Sequence, residues 1–284
     1  MATSNPPPSA TLIPLLLMGG ASTRMSTPKA LLPFPDGLPS FHHTLSTICS
    51  AIPAQGPSAS SHSGPSLLPS LPTPLLISLR DMRQYALLNA SVTAMQQSQG
   101  RPPAMDLQEQ LAELYNRPMT LVFDSAVEIG PAAGLLAAHA LFPDASLLVV
   151  GCDYPLLTRE AVGQLVAAHS NSDVTAPTTT TTTTTTPPVT CFINSAGFGE
   201  PLIAIWGTEA LDALKTNVKV EGMSGLLRVV KEVGGQMVRP KEEEWIRGVN
   251  TKEEWEEVRG VLAERMGLRL ELDGVVMGQG GSTE

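Results

Sequence analysis

Short apolar runs alternate with longer amphipathic stretches along most of the chain. Thr11 to Met18, Leu75 to Leu79, Met119 to Phe123, Ser146 to Val150 and Leu202 to Trp206 are rich in Leu, Ile and Val and end at turn-forming or polar residues. Runs of this length and composition read as strands buried on both faces. Pro14 cannot donate to a sheet ladder, so the first strand is expected to begin in earnest at Leu15. Helical patterns fill the intervals at Ser40 to Ala51, Asp81 to Gln97, Met105 to Tyr115, Ala132 to Leu141, Glu160 to His169, Glu209 to Lys215, Ser224 to Val233 and Lys252 to Met266. Val174-Thr175-Ala176 reads as the start of another strand. Strands alternating with helices predict an α/β fold with a mostly parallel central sheet. Ligands of such sheets bind beyond the carboxyl ends of the strands. Gly19-Gly20, Ser78, Asp124 and Asp153 all fall at such ends, which points to one shared site.

Three stretches break the pattern. Residues 1–10 are polar and Pro-rich and are expected to be disordered. Residues 53–74 are dense in Ser, Pro and Gly, and nine threonines, Thr178 to Thr186, stand within the Pro-bracketed segment 177–188. Both read as low-complexity insertions. What remains is expected to be one domain over 11–266, followed by a tail at 267–284, which suits a chain of 284 residues.

Composition narrows the partners. Lys and Arg number 18 and Asp and Glu 27, a formal net charge of −9, so non-specific binding to nucleic acid or to an anionic membrane is not expected. No apolar run reaches the ~18–20 residues of a membrane span, and no basic residue precedes the first run as in a signal peptide. Cys49, Cys152 and Cys191 are odd in number, far apart and without a CxxC pair. This excludes a disulfide framework or structural zinc site and leads us to expect a reducing, cytoplasmic setting. Through residue 79 the Lys, Arg, Asp and Glu residues are Arg24, Lys29 and Asp36 alone. Any phosphate recognition must then rest on a few placed cations and on backbone amides.

The segment Leu17-Met18-Gly19-Gly20-Ala21-Ser22-Thr23-Arg24-Met25 is a strand end, a glycine turn and a polar loop. Glycines let the backbone approach phosphate oxygens, and Arg24 and Lys29 add charge-assisted contacts. A Gly-Gly pair by itself is as readily a turn with positive φ; the two isolated cations favour the phosphate reading. Neither G-x-x-x-x-G-K-[ST] nor G-x-G-x-x-G is present, so P-loop ATPases and dinucleotide-dependent dehydrogenases are set aside. Asp153 at a strand end suits Mg²⁺, which takes one or two carboxylates plus substrate phosphates, or it caps the turn at Pro155. Asp124 is a candidate site residue or a turn cap. Gly130 to Gly134 either opens a closely packed helix or lines the site. Asn250 and Thr251 are candidate caps for the helix from Lys252, Asn250 also a candidate site residue. Cys152 and the three tryptophans read as packing residues.

Together these pieces resemble the MobA-like nucleotidyltransferase family. LMGGASTRMSTPKALLP, Leu17 to Pro33, is similar to L-A-G-G-x-S-x-R-M-G-x-x-K-x-L-x-P. Phe123-Asp124-Ser125 with Gly130-Pro131-Ala132-Ala133-Gly134 resembles D-x(n)-G-P-L-A-G, and VVGCDYPL, Val149 to Leu156, a hydrophobic strand ending in C-D-x-P. Glu200-Pro201-Leu202 and Gly248-Val249-Asn250-Thr251 resemble the downstream E/H-P and N-x-N-T-P elements. The ordered set covers about residues 11–260. The resemblance implies a Rossmann-like three-layer sandwich of the nucleotide-diphospho-sugar transferase type. It implies transfer of a nucleoside monophosphate, GTP being the first-choice donor, to molybdopterin, with pyrophosphate released. CTP with the same acceptor, or a sugar-phosphate acceptor, is the nearest alternative, and a nucleotide-binding protein without catalysis a second. It implies nucleotide contacts from Leu17, Met18, Gly19, Gly20, Ser22, Lys29, Ser78, Asp124 and Asp153, and charge stabilisation by Arg24 and Lys29. Asp153 would hold Mg²⁺, and Gly130, Pro131, Gly134, Glu200, Pro201 and Asn250 would face the acceptor. Met18, Ser26 and Pro28 depart from the family pattern, as does Ser78, which stands where its guanylyltransferases tend to carry Asn.

Overall fold

A computed structural model describes residues 11–18, 25, 27–54, 72–100, 102, 106–124, 129–170, 186–270 and 276–277. Its sheet has seven strands: β1 (Leu12–Leu17), β2 (Leu75–Leu79), β3 (Met119–Phe123), β4 (Ser146–Gly151), β5 (Val189–Ile193), β6 (Gly199–Trp206) and β7 (Gln236–Val238). Their spatial order is β3-β2-β1-β4-β6-β5-β7. All neighbours pair in parallel except β6, which runs against both β4 and β5. The helices are α1 (Ser40–Ala51), α2 (Met82–Ser98), α3 (Leu107–Tyr115), α4 (Pro131–Leu141), α5 (Arg159–Ser170), α6 (Thr208–Glu221), α7 (Leu226–Glu232) and α8 (Lys252–Arg265). This is the three-layer α/β sandwich around a mostly parallel sheet that the alternating pattern and the family resemblance predict.

The layers follow from strand alternation. Leu16, Ile77, Leu148 and Val150 point to one face, covered by Phe41 and Leu45 of α1, Val92 of α2, Leu111 of α3 and Leu165 of α5. Leu15, Leu17, Leu76, Leu147 and Val149 point to the other, covered by Leu135 of α4, Leu211 of α6 and Val229 of α7. Residues buried on both faces make β1, β2 and β4 continuous apolar runs, each buried Leu contributing about 1.5–3 kcal/mol. A third, smaller cluster packs Met25, Leu32 and Phe34 against Leu156, Val249 and the α8 residues Trp255, Val258 and Leu262. It anchors the segment carrying Lys29 to the last helix.

Several boundaries differ from the sequence reading. Pro14 lies inside β1 rather than before it. The hydrogen bond from Met18 N–H to Ser78 C=O shows that even-numbered residues of β1 face β2. The β2 pairing starts only at Leu15, opposite Leu76, while β4 pairs along all of β1. The N–H that Pro14 lacks would therefore point at the entry of β2, where no ladder bond is needed. Strand β6 begins at Gly199 rather than Leu202, and β5 and β7 were not anticipated. Arg269–Leu270 and Val276–Met277 pair as a small antiparallel ladder, β8 and β9, within the expected tail. Residues 1–10, the strand expected at Val174 to Ala176 and most of both insertions lie outside the described residues.

Candidate functional site

Because β3, β2, β1 and β4 are consecutive neighbours and parallel, their carboxyl ends line up. Asp124, Ser78, Met18 and Asp153 therefore follow one another along one edge of the sheet. Ser78 is buried, and its hydroxyl donates to Asp124 Oδ1 at 2.7 Å. The Gln84 side chain ties the ends of β1 and β2 together: its Nε2 donates to Met18 C=O at 2.6 Å and its Oε1 accepts from Arg80 N–H at 2.7 Å. Gln84 is itself placed by the α2 cap, its N–H donating to Asp81 Oδ1 at 2.8 Å. Pro131 opens α4 after Gly130, as expected, and Gly134 lies one turn in, against Ser78 and Leu17.

Asp153 follows β4. Its Oδ1 folds back over Gly151, where an added Cβ would stand 2.6 Å from that oxygen, so the carboxylate conformation depends on glycine there. Lys29 Nζ lies 3.6 Å from Asp153 Oδ2, and both side chains are about a quarter exposed or less. The same Nζ donates to Asn250 Oδ1 at 2.8 Å. The sequence left open whether Asn250 caps the last helix. The N-cap of α8 is Thr251, in a full capping box with Glu254, and the Asn250 side chain turns to Lys29 instead. Val249 N–H donates to Asp153 C=O at 2.9 Å, closing the cluster.

The antiparallel β6 starts at this same edge, which brings Glu200 beside the β4 end. Tyr154 donates its hydroxyl to Glu200 Oε2 at 2.9 Å, and Asn194 Nδ2 donates to Oε1 at 3.0 Å. Asn194 also accepts from Phe198 N–H at 3.0 Å, so one side chain fixes both the hairpin and the carboxylate. Burial raises the Tyr154 phenol well above its usual range, with the charges of Asp153 and Glu200 adding to it. Tyr154 is therefore a permanent donor. Pro201 contributes its carbonyl to Trp206 Nε1 at 3.0 Å, a packing contact.

The Cys152 thiol is pushed up to about 12, first by burial and then by the Asp153 charge, which fits packing and not a nucleophile. Trp206, Trp245 and Trp255 are buried, as expected. Gly19, Gly20, Ser22 and Arg24 lie outside the described residues. Gln84, Tyr154, Asn194 and Glu254 were not singled out in the sequence. Thr251-x-x-Glu254 does carry the capping-box spacing that signals one of them.

Asp124 is held in the fold at a cost to stability. Burial holds its carboxyl above the usual range, with the Ser78 hydrogen bond and Arg80 opposing. As pH rises, the unfolded chain releases this proton first. Stability therefore falls between the ordinary carboxylate value and the raised folded one, and the deficit persists at neutral pH. Asp124→Asn keeps an oxygen for Ser78 and removes the charge. Calorimetry should give a higher Tm than wild type at pH 7, with the difference shrinking below about pH 4; an equal or lower Tm at pH 7 would contradict this account.

A mostly parallel α/β sheet with carboxylates and a lysine gathered at its carboxyl edge presents a candidate ligand site where such sheets carry theirs. Residues 78–237, more than half of the chain, match the family model for the MobA-like NTP transferase domain. The chain belongs to that family, whose class is that of nucleotidyltransferase enzymes. The match lies downstream of the glycine loop, on β2 to β7. No curated protein matches the chain. Among solved structures it is similar to molybdopterin-guanine dinucleotide biosynthesis protein A from Archaeoglobus fulgidus, with 15% identity, a TM-score of 0.55 and 89% of this chain covering 99% of that one. It is also similar to a nucleotidyl transferase from Methanothermobacter, with 12% identity, a TM-score of 0.54 and coverage of 90% and 99%. A third is 4-diphosphocytidyl-2C-methyl-D-erythritol synthase from Anaerococcus prevotii, with 9% identity, a TM-score of 0.52 and coverage of 89% and 96%. At these identities the likeness establishes the fold. Among the described residues, no helix is long and apolar enough to cross a membrane.

Proposed function

We propose that the protein transfers GMP from GTP to a phosphate of molybdopterin, releasing pyrophosphate. The observation that carries this reading is the meeting of Lys29, Asp153 and Asn250 at the carboxyl edge of β4. The acceptor phosphate attacks the α-phosphorus in line, and catalysis is a matter of position and charge. Lys29 neutralises charge on the triphosphate, with Arg24 and the Gly19-Gly20-Ser22 loop assigned the same task from sequence. Ser78 and Asp124 face the nucleoside. Asp153, a part-exposed carboxylate at the end of β4, fits Mg²⁺, which needs only one or two carboxylates when substrate phosphates complete its shell. When bound, the ion supplies neutralisation of the leaving pyrophosphate.

The acceptor end is assigned to Glu200 and Pro201, with Gly130 and Pro131 given that role from the sequence, while Gly134, against Ser78 and Leu17, stands at the nucleotide end instead. A carboxylate repels phosphate, so Glu200 serves the other end of the acceptor, offering each oxygen's remaining lone pair to N–H or O–H donors. Phe198, two residues earlier on the hairpin and 62% exposed, adds an aromatic face. A planar ring edged with N–H groups, as in a pterin, suits that pair.

Ser78, where the family's guanylyltransferases tend to carry Asn, weakens the guanine assignment and leaves CTP as the second reading of the donor. Thermal shift with GTP, CTP, ATP and UTP in Mg²⁺ separates them. A nucleotide at about 100 times its Kd adds ~2.7 kcal/mol, roughly 5–10 °C for a domain of this size. GTP is expected to give the largest shift; a CTP preference moves the donor, and no shift with any overturns the reading. Pyrophosphate release should then follow with a molybdopterin acceptor and not with hexose phosphates.

A further inference from the structure

We infer that Glu254, on the first turn of α8, is a positioning residue for Lys29, acting through the backbone of Asn250. The inference rests on the reading above, in which Lys29 acts on the triphosphate. A capping box needs the carboxylate of its third helical residue to accept from the N-cap N–H alone. Glu254 Oε2 accepts from Thr251 N–H at 3.1 Å but also, at 2.6 Å, from the N–H of Asn250, one residue outside the box. The shorter bond is thus the one the helix does not need. It fixes the peptide of Asn250, whose Oδ1 holds Lys29 Nζ at 2.8 Å. From the other side, Val249 N–H is bonded to Asp153 C=O at 2.9 Å, so the 249–251 segment is fastened to both the helix and the β4 end. The satellite core of Met25, Leu32 and Phe34 with Trp255, Val258 and Leu262 packs the Lys29 segment onto the same helix. Lys29 lies 221 residues before Asn250 in the chain, and α8 sets the point from which its flexible four-carbon stem is steadied. A misplacement of about 1 Å at a transferring group costs on the order of a hundredfold.

Two halves of one capping box provide the test. Thr251→Ala removes the hydroxyl that accepts from Glu254 N–H at 3.2 Å and leaves the bond to Asn250 in place. Glu254→Ala removes both that bond and its share of the cap. Glu254→Gln keeps an oxygen for the same two N–H groups. The first readout needs no activity: competitive acetylation of the nucleotide-free protein with acetic anhydride, Lys29 quantified against the other lysines by mass spectrometry. Glu254→Ala should raise Lys29 labelling by about five- to tenfold, the size expected for losing one hydrogen bond of ordinary strength. Thr251→Ala should not, although its Tm falls comparably, and Glu254→Gln should restore the wild-type value. The second readout is pyrophosphate release, where Glu254→Ala should lower kcat about 10- to 100-fold with KM for the nucleotide within about twofold. Adding Asn250→Ala should then cost little more. Unchanged Lys29 labelling in Glu254→Ala, or equal labelling and kcat effects from both capping variants, overturns the inference. A labelling change in a protein that releases no pyrophosphate with any acceptor supports the positioning and sinks the transferase reading, so the two failures are told apart.

Discussion

Asp153→Asn is expected to lower Mg²⁺-dependent pyrophosphate release by about a thousandfold or more, while the protein stays folded. The substitution preserves shape and removes one charge. Its cost to stability is small for a physical reason: the Lys29 contact, at 3.6 Å between partly exposed groups, is worth at most about 1 kcal/mol. The backbone bond from Val249 N–H to Asp153 C=O, which ties the cluster together, does not involve the side chain. Tm should therefore change by no more than about 2–4 °C. Loss on the chemical side is large because an amide would hold Mg²⁺ far more weakly than a carboxylate, and the ion's charge would be lost to the leaving pyrophosphate. Kinetics and melting measured together decide the role. Retained activity would show that Asp153 holds no essential cation, and a collapse in Tm would make it a turn cap.

What the sequence revealed of this molecule depends on how local each feature is. Strands β1 to β4 are apolar runs because helices cover both faces of the sheet, and so β2, β3 and β4 were readable within one residue, whereas β1 begins three residues before the Leu15 that Pro14 suggested. Strand β7 is three residues, Gln236–Val238, too short for any periodicity, and β5 follows directly on the threonine-proline tract, whose composition masks it. The residues at the strand ends, Ser78, Asp124 and Asp153, were readable because parallel strands place their carboxyl ends on one edge whatever the strand order. Pairings across the chain were not. Tyr154 meets Glu200 over 46 residues and Lys29 meets Asn250 over 221, and both follow from β6 running against β4 and from α8 returning to the start of the chain. Polar side chains that serve others, such as Gln84 and Asn194, have no signature of their own, since the Met18 carbonyl and the Glu200 carboxylate they hold are brought to them by the fold.

Gly134→Ala should destabilise the protein by about 1–3 kcal/mol, against the sign that helix propensity gives. In the middle of α4 alanine is worth about 1 kcal/mol more than glycine, and an exposed site would show that gain. Here the added methyl would stand 2.7 Å from Leu17 Cδ2 and closer still to Ser78 Oγ. Neither neighbour can yield cheaply. Leu17 is buried in the last turn of β1, between α4 and the paired strands, and Ser78 is held by its 2.7 Å bond to Asp124. If Ser78 rotates away, Asp124 loses a donor and its buried carboxylate becomes costlier still, so the clash is transmitted to the end of the site proposed for the nucleotide. The variant should thus show both a lower Tm, by roughly 2–12 °C, and a weaker thermal shift with nucleotide, whereas Gly163→Ala, on α5 with nothing within 4 Å of the added methyl, should gain stability. Two substitutions of one kind on two helices then differ in sign because of what lies across from each. A Tm for Gly134→Ala equal to or above wild type would mean that α4 stands further from β2 than the close contact at Ser78 requires, and that the small residues after Gly130-Pro131 are there for some reason other than the approach of the helix to the site.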